Sequence, residues 1–110
     1  MFPVDAPEIT SNTPSETKVG VDVGASAKLT CTIDAYPIAK IKWTIKGETQ
    51  ELGGGEYSVT NYIEPQYSDL VVTVQPKHHG MSFICTATNS FGSDTQEFQI
   101  LSKRKCILPL

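Results

Sequence analysis

Five side chains in this sequence belong to types that do chemistry on their own: Cys31, Cys85, Cys106, His78 and His79. Thiols and imidazoles bind zinc, move protons or attack carbonyls, and each use demands a spacing. Zinc sites are signalled by closely spaced cysteine pairs, Cys-x2-4-Cys, and the three cysteines form none. His78 and His79 are adjacent, and neighbours on extended backbone point to opposite sides. Their rings therefore do not converge on one ion, and the pair reads as an exposed turn that titration at about pH 6–7 can tune. The chain is rich in hydroxyls, but it has no Gly-x-Ser-x-Gly elbow, no paired buried carboxylates and no cysteine–histidine signature. The run Gly53-Gly54-Gly55 would cradle a phosphate between a strand and a helix, usually with Lys-Ser/Thr, and neither helix nor lysine follows. It is instead the expected point of greatest backbone freedom. The expectation is a protein that is not an enzyme, with no cofactor and no metal.

Cys106 sits in the segment Ser102-Lys103-Arg104-Lys105-Cys106-Ile107-Leu108-Pro109-Leu110. Prenylation needs the cysteine fourth from the end, and Cys106 is fifth. A basic processing site, an anchor for a partner and an intermolecular disulfide are the functional readings. The plain one is a solvated tail. No Asn-x-Ser/Thr acceptor occurs, since Asn12 is followed by Thr13-Pro14 and neither Asn61 nor Asn89 has a hydroxyl two places on.

Length and charge narrow the field. At 110 residues there is room for one core. A net charge of −3 gives no electrostatic footprint for nucleic acid. No apolar run approaches the roughly 18–20 residues of a membrane span, and Met1-Phe2-Pro3-Val4 lacks the basic and apolar regions of a signal peptide. If the natural protein is secreted, the expectation is an excised piece with an added methionine.

The elements that must hold the cysteines are strands. Residues 26–33 alternate, with Leu29, Cys31 and Ile33 on one side and Lys28, Thr30 and Thr32 on the other. Residues 34–37 then turn the chain. Residues 41–45 put Ile41, Trp43 and Ile45 inward and Lys42 and Thr44 outward, before a tight turn at Lys46-Gly47-Glu48. Residues 4–9 read as a short linker running into a first edge strand, and short strands are expected at 18–23 and 57–59, with a turn at Asn12-Thr13-Pro14-Ser15 and a break at Pro65. Strand 68–74 faces Leu70, Val72 and Val74 inward, and strand 81–89 faces Phe83, Cys85 and Ala87 inward. Strand 93–101 contributes Phe98 and Ile100. Trp43 follows Cys31 by twelve positions, and Cys85 follows it by fifty-four. No stretch carries a helical period, so the domain is all-β.

Cysteine, tryptophan and cysteine at this spacing on alternating strands resemble the immunoglobulin superfamily, closest to its I set (C2-like), over residues 6–101. The resemblance implies a Greek-key β-sandwich of two antiparallel sheets. Residues 1–5 would be a linker and 102–110 a tail. It implies a Cys31–Cys85 disulfide under the Trp43 ring, with Leu70 and Phe83 in the core, and a hairpin at Asn89-Ser90-Phe91-Gly92. The family pattern Asp-x-Gly/Ala-x-Tyr-x-Cys is altered to His79, Met81, Phe83 and Cys85. Phe83 lacks the hydroxyl of a tyrosine corner and His79 replaces an anchoring carboxylate, which puts the rigidity of that turn in question. Ala35 to Trp43 and Ala87 to Gly92 look like segments of neural cell-adhesion proteins.

That likeness implies an extracellular, cell-surface recognition module that binds protein, self or other, beside neighbouring immunoglobulin domains. Candidate contacts are Lys42, Thr44, Ile84, Thr86 and Gln99 on one sheet, with Ile84 an aliphatic spot among polar neighbours. Phe91, with Tyr36, Pro37 and Ile38, offers apolar tips at one end. Two other classes compete: an intracellular muscle-filament spacer, where the cysteines would be reduced, and a secreted protein that sequesters a peptide ligand.

Overall fold

The computed structural model describes residues 5–9, 18–63 and 66–103. The turn expected at 12–15, the break at Pro65 and Cys106 lie outside them. Eight strands follow in order: β1 (Asp5–Ile9), β2 (Lys18–Asp22), β3 (Ser26–Tyr36), β4 (Lys40–Ile45), β5 (Tyr57–Tyr62), β6 (Tyr67–Thr73), β7 (Ser82–Asn89) and β8 (Gly92–Lys103). They form two four-stranded sheets, β1-β3-β6-β5 and β2-β8-β7-β4. All strand pairs are antiparallel except β2 with β8. The β1 register shifts between Asp5 and Glu8, around Pro7, which has no N–H to give to a ladder.

The alternation in β3, β6, β7 and β8 fills the space between the sheets. Leu29, Cys31, Leu70, Val72, Phe83, Cys85, Ala87, Phe98 and Ile100 are all buried, as the sequence pattern requires. Cys31 and Cys85 are joined across the sheets, with Cα atoms 6.6 Å apart. Trp43 is buried beside them, its ring 5.6 Å from that of Phe98. A buried indole N–H needs an acceptor, and Trp43 Nε1 donates to Ser68 Oγ at 2.8 Å. Ser68 in turn donates to Asn61 Oδ1 at 2.6 Å, so each buried polar group in that row is paired.

Several local features differ from the sequence expectation. β3 runs on to Tyr36 because β1 supplies it with partners as far as Asp5 opposite Tyr36. The turn therefore falls after residue 36, where the Tyr36–Pro37 bond is cis. β5 is six residues long rather than three, paired along its whole length with β6. The glycine run is an ordered hairpin: Gly54 and Gly55 take φ of +96° and +63°, and Gly54 and Tyr57 exchange backbone bonds of 2.7 and 3.1 Å. Among the described residues no helix is long and apolar enough to cross a membrane.

Candidate partner-binding surface

The outward rows of the β2-β8-β7-β4 sheet follow from its register. Lys42 lies opposite Thr86 and Thr86 opposite Thr95; Thr44 lies opposite Ile84 and Ile84 opposite Glu97; Ser82 lies opposite Gln99. Lys42, Thr44, Ile84, Thr86 and Gln99 thus share one face. Thr44 does not present itself there, being only 8% exposed. Period-2 alternation assigns it to the outward row, but its short side chain lies directly opposite Ile84 and between the longer Lys42 on β4 and Lys46 just past its end. Ile84 is half-buried in the same row rather than protruding. The Lys46–Glu97 pair, at 3.3 Å, crosses the face between exposed side chains, where such pairs contribute little. Gln99 is tied to the Gly80 carbonyl by its Nε2 at 3.1 Å.

The apolar tips are at the end of the sandwich, not on this face. Phe91 is 53% exposed and Ile38 56%. Tyr36, Tyr62 and Ile63 are exposed at the same end, since Tyr36 ends β3 while Tyr62 and Tyr67 pair where β5 meets β6. Two amides brace these loops. Gln66 Oε1 accepts from Ala39 N–H at 3.2 Å while its Nε2 donates to the Ala39 carbonyl at 2.6 Å. Asn89 Nδ2 donates to the Pro37 carbonyl at 2.9 Å, and its Oδ1 accepts from Phe91 N–H at 2.9 Å. Neither clamp, nor Tyr62 and Ile63, was visible in the sequence pattern. A polar residue just before a strand, as Gln66, or ending one, as Asn89, gives no local sign of a partner 27 or 52 positions away.

His79 is exposed as expected of the turn, and His78 is not. His78 has no exposed surface. It sits in a 3₁₀ turn, Pro76–His78, with its ring against Tyr57 and Phe83 at 5.7 and 6.4 Å. His78 Nδ1 accepts from Gln75 N–H at 2.8 Å. That leaves the ring hydrogen of the neutral form on Nε2, which donates to Tyr57 Oη at 3.1 Å. Burial lowers the His78 pKa, opposed by the Glu56 carboxylate 3.8 Å away and assisted by Lys77. Tyr57 is pushed up to about 12 by burial and by Glu56. Lys77, 2.7 Å from Glu56, holds the Glu56 carboxyl below its usual range. The rings do diverge as expected, because His79 Nδ1 accepts from Ser102 N–H at 3.1 Å instead.

This cluster answers the altered corner motif. The hydroxyl missing at Phe83 comes from Tyr57 on β5, whose ring lies 5.8 Å from Phe83. The turn anchor missing at 79 comes from His78. Enclosed in this way, His78 meets no substrate, and its chemistry is structural. Among the described residues no three His, Cys, Asp or Glu side chains gather as metal ligands.

The paired sheets, the buried Cys31–Cys85 bridge and the tryptophan beside it define an immunoglobulin sandwich. A profile of the immunoglobulin domain matches residues 6–89, and the chain belongs to that family. Lachesin of Drosophila melanogaster is 34% identical over 91 residues, which is 79% of this chain and 24% of that protein. Neural cell adhesion molecule 1 of Bos taurus is 34% identical over 79 residues, 71% of this chain and 9% of that protein. The chain thus spans a quarter or less of these relatives. The titin tandem A164–A165 superposes with a TM-score of 0.78 at 21% identity, over 93% of this chain and 51% of that one. That likeness is one of fold.

Proposed function

We propose that this chain is an extracellular I-set recognition module of a cell-adhesion or receptor protein, with residues 6–101 as the module between a linker (1–5) and a tail (102–110). Its partner is a protein, engaged through the loop end and the adjoining β4-β7-β8 face. The observation that carries the proposal is the gathering of Tyr36, Ile38, Tyr62, Ile63 and Phe91, exposed, at one end of the sandwich. Loops braced by Gln66 and Asn89 lose little entropy on docking. Phe91 and Ile38 are the apolar anchors, with Lys42, Ile84, Thr86 and Gln99 as the surround. Thr44 is left out because it is buried. The likeness to neural cell adhesion molecule 1 supports the adhesion reading.

The test is a binding screen against cell-surface ectodomains, this chain included, using Phe91→Ser, Ile38→Ser and Ile84→Asp. The expected result is a partner whose affinity falls at least about tenfold with the anchor variants. Mass mapping of the native protein should show Cys31 linked to Cys85. Free thiols at both positions would overturn the extracellular reading in favour of the filament spacer.

A further inference from the structure

An open sheet has two edges, and unpaired N–H and C=O groups along an edge recruit another strand unless something blocks them. The four edges of this sandwich are protected unequally. β1 is short, with Pro7 and a shifted register. β2 begins and ends on the charged Lys18 and Asp22. β4 carries Lys40 and Lys42, and its Trp43 carbonyl is taken by Leu52 N–H at 2.8 Å. β5, with the sequence Tyr-Ser-Val-Thr-Asn-Tyr, has no charge, no proline and no glycine, and its register with β6 is unbroken.

The phase of the ladder shows which backbone groups face out. Thr73 N–H donates to the Glu56 carbonyl at 3.1 Å, while Ile33 and Val74 bond across the other flank of β6. Bonded pairs alternate in an antiparallel ladder, so Ser58, Thr60 and Tyr62 bond to β6. Tyr57, Val59 and Asn61 direct their groups outward. Gly54 takes both groups of Tyr57. Val59 and Asn61 have no backbone partner on that edge among the described residues.

Two outward residues separated by one make a self-complementary edge. We propose that β5 is a self-association site, pairing antiparallel with β5 of a second copy so that Thr60 faces Thr60 on the two-fold axis. Val59 then exchanges two bonds with Asn61 of the second copy, and Asn61 two with its Val59, giving four. Shifting so that Val59 faces Val59 leaves two, because Asn61 then meets Tyr57, already held by Gly54. The exposed outer row Ser58, Thr60, Tyr62 places threonine against threonine and serine against tyrosine, with no like charges opposed within the strand. A symmetric, uncharged edge selects a copy of itself over a charged peptide. The contact is small and its affinity weak, so it acts where copies are held side by side. It uses neither the loop end nor the β4-β7-β8 face.

The experiment is sedimentation equilibrium of the full chain carrying Cys106→Ser, up to about 1 mM, where a dissociation constant of about 1 mM or tighter is expected. Thr60→Lys and Thr60→Glu each weaken the dimer by about fivefold, and mixing them restores it as a heterodimer. In oxidising buffer Thr60→Cys gives a 60–60 linked dimer and Ser58→Cys does not. A protein monomeric to about 1 mM, a dimer indifferent to the charge at residue 60, or a mixture that fails to recover would overturn the proposal. So would loss of the dimer with Phe91→Ser, which would move self-association to the loop end. Circular dichroism confirms that the Thr60 variants fold, and ectodomain binding through Phe91 is read separately.

Discussion

Tyr57→Phe removes the oxygen that accepts from a fully buried ring donor. His78 has no exposed surface, and its Nε2–H points at that oxygen from 3.1 Å. A buried donor stripped of its acceptor costs about 1–3 kcal/mol, against about 0.5–1.5 kcal/mol for an average hydrogen bond. Opposing this, the phenol loses the cost of its own desolvation, so a net loss of about 1–2 kcal/mol is expected. With a urea slope of about 1–2 kcal/mol/M for a chain of this size, the midpoint falls by about 0.5–2 M. The control is His78→Phe, which keeps the ring and removes the buried donor. In that background Tyr57→Phe should be nearly neutral, and the double-mutant cycle isolates the pair. A Tyr57→Phe loss below about 0.5 kcal/mol, or the same loss in both backgrounds, would refute the proton assignment.

The same cluster sets a pH dependence. The folded His78 pKa is lowered from 6.5 by burial, and a proton on Nδ1 would displace the Gln75 N–H bond. The unfolded chain therefore binds this proton more readily than the folded one. The His78 contribution is complete above about pH 6.5 and is lost as pH falls towards the folded pKa. Urea midpoints between about pH 7.5 and 5 should fall in the wild type, and the His78 share of that slope should be absent in His78→Phe.

Three further outcomes follow from the fold. Replacing Cys31 and Cys85 by alanine opens a loop of 54 residues and should cost about 4 kcal/mol by loop entropy, measured by urea denaturation; a loss under about 1 kcal/mol would refute it. Gly92→Ala should destabilise by about 1–3 kcal/mol, since φ is +155° and an added Cβ would lie 3.0 Å from that of Ala6, whereas Gly53→Ala meets nothing within 4 Å and should be near neutral. Alkaline titration of tyrosinate absorbance should show a component near pH 12 that disappears in Tyr57→Phe.

The core was legible because burial there is set by local alternation. Leu29, Cys31 and Ile33, or Phe83, Cys85 and Ala87, declare their side of a strand without knowledge of what lies opposite. Thr44 shows where alternation stops, for it gives a side chain's direction and says nothing of the lysines flanking it. His78 was misread for a different reason. A residue in a turn has no period, and its burial depends on Tyr57, 21 positions earlier, arriving on β5. The cores of the loop clamps are likewise long-range pairs, Gln66 with Ala39 and Asn89 with Pro37.

Tyr57 joins the two unexpected features of the chain. Its hydroxyl takes the His78 hydrogen and so holds the turn before β7, while its backbone takes both bonds from Gly54 and closes the hairpin before β5. A strand fixed by its first residue at both side chain and main chain presents the following residues in constant register. That is the condition for Val59 and Asn61 to meet a second copy in a single pairing rather than in several slipped ones. The Tyr57 hydroxyl therefore stabilises the turn and, through the same residue, stiffens the edge. If so, Tyr57→Phe should weaken self-association as well as stability, although residue 57 itself makes no bond across the proposed two-fold axis.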